Sequence, residues 1–459
     1  MTRGAKLRAL KRATVGISIT GTLALGCVIA VASNDPLFAQ QWGLSGQTSS
    51  INAPQAWCAT TGAGILVADV DTGVDFSHPD LTGRLVAGAR FTGGTGTLQS
   101  SGDPSQLGDG VGHGTGTTGV MVANKDDRIG IAGVAPSAQA LVVKVFDDQG
   151  SGYTNDAAAG IRWAADNGAR VINLSLGGDP TGGLGVHVSL VPDANMVNAI
   201  QYAAGKHVAV AVSAGNNQAQ VPVSQYIQIA QVALVVGAVG PAGEPGWYTT
   251  TGAGVNIYAP GGDDPNGTGS TAINVVTPYK GGRWVAWQGT SFAAPHVAGT
   301  LALLMSRGMS AEAARQKILD TAVSRGTLPQ LDAAAALGTS GGCASAPAAT
   351  NDGGAANPTA ARSAASGTRS TSPSRSTAGA APPGAPGAVV ALASPSATAS
   401  PSPSASTAPS QDSMPSPKTL AHEPVKKGSQ SPPAALIVLG LGVLGAAGYG
   451  GFRLVQSLK

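Results

Sequence analysis

Between Ile65 and Val323, short apolar runs alternate with segments whose apolar residues recur at helical spacing. The runs ILVADV (65–70), LVVKVF (141–146), VINLSL (171–176), VAVAVSA (208–214) and VALVVGAV (232–239) are Val-rich and nearly continuous in apolar character. Strands buried on both faces of a parallel sheet read this way. Helical patterns fall between and after them, over Asn155–Asn167, Ala194–Lys206, Phe292–Met305 and Ala311–Ala322. The alternation predicts an α/β fold: a doubly wound sheet of mostly parallel strands with helices on both faces. In such sheets the working side chains sit at the carboxyl ends of strands, in loops leading to helices.

The pattern stops at both ends of the chain. From Cys343 to Gly448 there is no Phe, Trp or Tyr, and Ala, Ser, Pro, Gly and Thr dominate. Such a stretch has too little large apolar surface to offset an ordering cost of roughly 1–2 kcal/mol per residue. Folding is therefore expected in residues 33–342, a length that suits one large domain with a single core. Residues 343–433 read as a disordered linker; as a flexible coil its 91 residues span roughly 50 Å. Its Ser, Thr and Pro content permits O-glycosylation, a purely compositional expectation. The run AALIVLGLGVLGAAGYGGF (434–452) carries no charge, and its 19 residues give roughly 28 Å of helix against a ~30 Å hydrocarbon core. It predicts a transmembrane helix that anchors the chain in the cell membrane, with 453–459 as a short cytoplasmic tail.

At the other end, Arg3, Lys6, Arg8, Lys11 and Arg12 lead into the apolar stretch Ala13–Val31, and Ala30-Val31-Ala32 fits a small-x-small cleavage site. Residues 1–32 thus read as a secretory signal, with an uncleaved anchor as the rival. Cys27 ends LALGC, but Leu25 stands where a lipidation box has a small residue. Orientation rests on this leader, because Lys426 and Lys427 precede the C-terminal span while Arg453 and Lys459 follow it. The formal charge of +3 also belongs to the leader: without its five cations the balance is −2. No basic stripe with interleaved aromatics appears, and nucleic acid is excluded as a partner. Cys58 and Cys343 remain in the mature chain. Outside the cytoplasm they can pair and clip the domain's end to its beginning, or stay as two free thiols.

Three residues carry candidate chemistry. Asp71 follows the first strand in VADVDTGVDFSHPDL, His113 lies in GHGTGTTGVMVA at a helix start, and Ser291 opens a helix in GTSFAAPHVAG. Singly, each has an ordinary explanation, such as a helix cap for Asp or Ser. Together they occur in the order Asp, His, Ser, one of the known chain orders of the hydrolytic triad. Asp71-Thr72-Gly73 also matches an aspartic-protease triplet, but that chemistry needs two such carboxylates and the chain has no second one.

These motifs, with NDPLFAQQWG, INAPQAW, GIAGVAP and NLSLGG, resemble the subtilase family over about residues 34–337, and more closely its thermitase-like branch. The resemblance implies a serine endopeptidase acting on polypeptides through an acyl-enzyme. Ser291 would be the nucleophile, His113 the base and Asp71 its orienting carboxylate. Asn216, in AVSAGNN, matches the oxyanion-hole asparagine. Gly150, Ser151 and Gly152 would form one edge of the substrate site, and Ser175, Leu176 and Gly177 the other. Asp35, Asp80 and Asp127, with backbone oxygens of Asn124, Ile129 and Ile131, match a structural Ca²⁺ site. Signal, protease domain, Pro-rich tether and C-terminal span also resemble the mycosins, membrane-anchored proteases attached to type VII secretion systems. A catalytically silent surface binding module is the non-enzymatic alternative.

The sequence departs from the family in several places. Only residues 33–68 separate the leader from the Asp71 motif, which leaves no room for the usual propeptide. Gly116 replaces a His of the HGTH form, which predicts a looser helix start. Phe292 stands where Met is frequent, removing an oxidisable sulfur beside the nucleophile. Residues 179–193 and 262–284 look like insertions.

Overall fold

The computed structural model describes residues 32–176, 192–218, 224–343 and 419–420. In chain order the strands are β1 (Leu66–Asp71), β2 (Leu85–Arg90), β3 (Ser100–Ser101), β4 (Gln139–Lys144), β5 (Val171–Leu174), β6 (Ala209–Ser213), β7 (Leu234–Val239), β8 (Ile257–Pro260), β9 (Val275–Tyr279), β10 (Arg283–Trp287), β11 (Val323–Arg325), β12 (Leu328–Gln330) and β13 (Thr419–Leu420). The helices are α1 (Ala53–Ala56), α2 (His113–Val122), α3 (Thr154–Asp166), α4 (Ala194–Gly205), α5 (Ser224–Ala230), α6 (Thr290–Ser306), α7 (Ala311–Asp320) and α8 (Ala333–Leu337).

Ten strands form one sheet in the order β11-β12-β8-β7-β6-β5-β1-β4-β2-β3. Its neighbours run parallel except at the two edges, where β11 and β3 are antiparallel to β12 and β2. The five Val-rich runs are β1, β4, β5, β6 and β7, and the first of these lies between β4 and β5, where the strand order reverses. The carboxyl end of β1 at such a reversal is the place where sheets of this kind open a crevice for ligands. A separate hairpin pairs β9 with β10, and the two-residue β13 lies antiparallel on β10.

One apolar core lies on the α2/α6 face of the sheet and includes Val67, Val142, Ala293, Val297 and Leu301. A second lies on the α3/α4 face, around Ala68, Val70, Ile161, Ile172 and Ile200. Alternate β1 residues serve opposite cores, as the period of two requires. Several helix starts carry their own caps: Asp193 accepts the Met196 N–H (2.9 Å), and Asp332 that of Ala335 (2.9 Å).

Cys58 and Cys343 form a disulfide across a sequence separation of 285, closing the described domain end to beginning. Residues 1–31 of the predicted signal (1–32), residues 344–418 and 421–433 of the linker, the predicted membrane helix (434–452) and the tail (453–459) lie outside the described residues. Among the described residues, no helix is long and apolar enough to cross a membrane.

Candidate active site

Asp71 is the last residue of β1, His113 the first of α2 and Ser291 the second of α6. All three are buried, and Ser291 precedes Phe292, whose ring packs on that of His113. The His113 Nδ1 lies 2.8 Å from Asp71 Oδ1, which also accepts the Thr72 N–H at 2.7 Å. Asp71 Oδ2 is buried without a hydrogen-bond partner among the described residues. Burial disfavours an imidazolium at His113. The charge and hydrogen bond of Asp71, with Asp109 and Asp69 farther off, outweigh burial and hold His113 above its ordinary pKa.

The Ser291 hydroxyl donates to the carbonyl of Ser175 at 3.2 Å. A second bond runs the other way, from Ser175 Oγ to the Ser291 carbonyl at 2.7 Å. That carbonyl is available because Pro295, four residues on and inside α6, has no N–H to give it. The nucleophile is thereby fixed to the loop after β5. Asn216 sits in the loop after β6. Its Oδ1 accepts both the N–H and the hydroxyl of Thr290 at 2.9 Å, so the amide group is anchored through its oxygen and its NH₂ is the end that can donate.

Gly150, Ser151 and Gly152 lie in the turn between β4 and α3, where Gly152 bridges to Phe146 and the Ser151 carbonyl accepts the Asp147 N–H. Ser175 and Leu176 follow β5, while Gly177 is outside the described residues. Phe292 is fully buried, with its ring centroid 5.6 Å from that of His113 and 5.3 Å from that of Trp287. It closes the apolar wall behind the imidazole. The looser helix start expected from Gly116 does not occur: α2 is helical from His113. A Cβ on residue 116 would meet Thr277 Oγ1 at 3.0 Å and Phe292 at 3.3 Å, so β9 and α6 fill the place of the missing side chain.

Asp35, Asp80 and Asp127 come together away from the crevice. The Asp35 carboxylate accepts the N–H groups of Asp126, Asp127 and Arg128 at 3.0–3.1 Å, and Asp126 and Arg128 have positive φ. Asp80 Oδ2 accepts from Ile131 N–H (3.0 Å) and Trp284 Nε1 (2.7 Å), while Oδ1 is buried with no partner among the described residues. Burial, and then the charges of Asp127 and Asp35, push Asp80 up to about 8 against those two hydrogen bonds. Asp127 Oδ1 holds Ile129 N–H, and the Asn124 side chain bonds Arg84 and Thr82. Among the described residues, no group of three His, Cys, Asp or Glu side chains is arranged to hold a metal ion.

The sequence reading missed several contributors. Asp109 accepts the hydroxyls of Thr72 and Thr115 and the N–H groups of Val111, Gly112 and Thr115, which shapes the loop into α2. Lys144 is buried and donates to the carbonyls of Thr72 and Gly108. The available signal was a charge inside an apolar run: Lys144 in LVVKVF and Asp69 in ILVADV.

The profile described as Subtilase family matches residues 62–364. Thermitase of Thermoactinomyces vulgaris is 36% identical over 290 residues, which cover 63% of this chain and 91% of that protein. A thermophilic serine proteinase of Bacillus sp. (strain AK1) is 37% identical over 270 residues, 58% of this chain and 59% of its own length. A solved protease structure from Pseudoalteromonas arctica PAMC 21717 aligns with a TM-score of 0.57 at 29% identity, covering 66% of this chain and 98% of that one.

Proposed function

This chain belongs to the subtilase family of serine endopeptidases, and on that premise we propose that Asp71, His113 and Ser291 are its catalytic triad and Asn216 its oxyanion amide. The observation that carries the assignment is the 2.8 Å contact of His113 Nδ1 with Asp71 Oδ1 at the strand reversal. Asp71 fixes the tautomer that leaves Nε2 free to take a proton. Ser291 Oγ leaves the Ser175 carbonyl, gives its proton to Nε2 and attacks the scissile carbonyl. The tetrahedral oxyanion is held by the Ser291 N–H, in the first turn of α6, and by the Asn216 amide. His113 then protonates the leaving amine, and water repeats the sequence to release the acyl group. Substrate lies extended between Gly150-Ser151-Gly152 and Ser175-Leu176-Gly177, as an added strand.

A fluorophosphonate probe tests this assignment. The chain should be labelled once, at Ser291, and Ser291→Ala should take no label; an unlabelled wild-type chain would overturn it.

The protease domain, 33–342, works outside the cytoplasm, tethered by the 343–433 linker to the 434–452 membrane helix. The Cys58–Cys343 bridge supports an oxidising compartment. A Ca²⁺ ion at Asp35, Asp80 and Asp127, with backbone oxygens of Asn124, Ile129 and Ile131, belongs to the same proposal. The partnerless, buried Asp80 Oδ1 fits such an ion, whose charge would also offset the mutual repulsion of the three acids. Binding there requires the 126–128 amides to turn away from Asp35. EDTA should lower Tm for the wild-type chain and leave Asp80→Asn unmoved; a wild-type Tm unchanged by EDTA would sink the site.

A further inference from the structure

Asp69 precedes Asp71 by two residues on β1, so both side chains lie on the same face of the strand, toward α2 and α6. It is 1% exposed and takes no part in the chemistry assigned above. Its Oδ2 accepts the hydroxyls of Thr117 (2.8 Å) and Thr118 (2.6 Å), both on the helix that begins at His113. Its Oδ1 accepts Nδ2 of Asn173 at 2.9 Å. The same Nδ2 reaches Ser175 Oγ at 2.9 Å, and that hydroxyl holds the Ser291 carbonyl. One buried carboxylate therefore ties the strand of Asp71 to the helix of His113 and, through Asn173 and Ser175, to the helix of Ser291.

We infer that Asp69 is a positioning residue for the reaction: its carboxylate braces the three catalytic elements, and its charge is coupled to that of His113. Burial, then the charge of Asp71, push Asp69 up to about 7, against the hydrogen bonds from Asn173, Thr118 and Thr117. The Asp69 charge is in turn among those that raise His113. The other charged or titratable groups facing this pair are few. Asp71 is on the same strand, and Asp109 lies in the loop before α2. On β4, Lys144 is held by Thr72, Gly108 and Asp148. On α6, His296 is bonded to the Phe292 carbonyl and lowered by burial to about 4, which keeps it neutral. β5 contributes none.

The sign follows from linkage. An ionised Asp69 favours the imidazolium, and an imidazolium favours ionised Asp69. Two protons are therefore shared over one pH range. The acid limb of kcat/KM should be shallower than a one-proton curve and displaced upward from that of His113 alone.

The test is kcat/KM against pH for the full chain, Asp69→Asn and the double variant Thr117→Val/Thr118→Val, with one peptide substrate. Asp69→Asn should move the acid midpoint down by roughly 1 pH unit and restore a one-proton slope, since a nearby opposite charge shifts a titrating group by about 1–3 units and Asp69 is only partly ionised at the midpoint. The Val pair keeps the shape of the threonines but removes two donors from the carboxylate. Asp69 then stays protonated to higher pH, and the midpoint moves the same way by less. This second variant carries the test if Asp69→Asn does not fold. A wild-type midpoint and slope in either variant, even with lower kcat or Tm, would reduce Asp69 to structural support and overturn the inference. The inference rests on the triad assignment. A wild-type chain that takes no fluorophosphonate overturns both, whereas a labelled chain with an unshifted variant overturns this one alone.

Discussion

The helices α2 and α6 on one face of the sheet differ in kind from α3 on the other. Every residue of α2 is buried, as is every residue of α6 from Thr290 to Met305. By contrast α3 buries Ala157, Ala158, Ile161 and Ala164 and leaves Asn155 and Asp166 exposed to water. On the first face the helices cannot shift without repacking on all sides, and their N-termini carry His113 and Ser291. On the second face a helix packs by one stripe and tolerates change on the other. Rigid placement of reactive groups is thus a property of the doubly enclosed helices.

Three substitutions probe this contrast. Asn216→Ala, at the mouth of the enclosed face, should lower kcat by about 10²–10³ with little change in KM. A loss below about tenfold, measured on a peptide substrate, would remove Asn216 from the oxyanion hole. Gly119→Ala, within α2, puts a Cβ 2.3 Å from Pro278 Cδ. Urea denaturation should show a loss of about 1–3 kcal/mol. Gly205→Ala, at the end of α4, meets nothing within 4 Å. It should gain about 0.4–1 kcal/mol by narrowing the unfolded ensemble. Equal responses from the two glycines would erase the distinction between the faces.

That distinction also explains what could be read from the chain. The strands β1, β4, β5, β6 and β7 were visible because burial on both faces gives unbroken Val-rich runs, and α3, α4 and α7 because one-sided burial leaves a periodic stripe. In HGTGTTGVMV no stripe exists, since no side of α2 faces water, and only its motif located it. Most of the β9–β10 hairpin falls within residues 262–284, which read as an insertion, although Gly281-Gly282 between two β-branched and aromatic runs is a turn signal. β2 and β8 escaped because LVAGAR and IYAP are short or interrupted by Gly and Pro. The three triad residues were legible as local motifs. The Asp69 network was not, because its partners lie 48, 49 and 104 positions away along the chain.

The Cys58–Cys343 bridge also decides how tension enters the molecule. A pull on the chain beyond residue 343 reaches α1 through the sulfur link as well as α8 through the backbone. The C-terminal elements α8, β12 and β11 are then not the only ones loaded, and they are not unzipped one after another. Residues 59–342, the three candidate catalytic residues among them, form a covalent loop that the shorter sulfur path shields from a pull applied beyond Cys343.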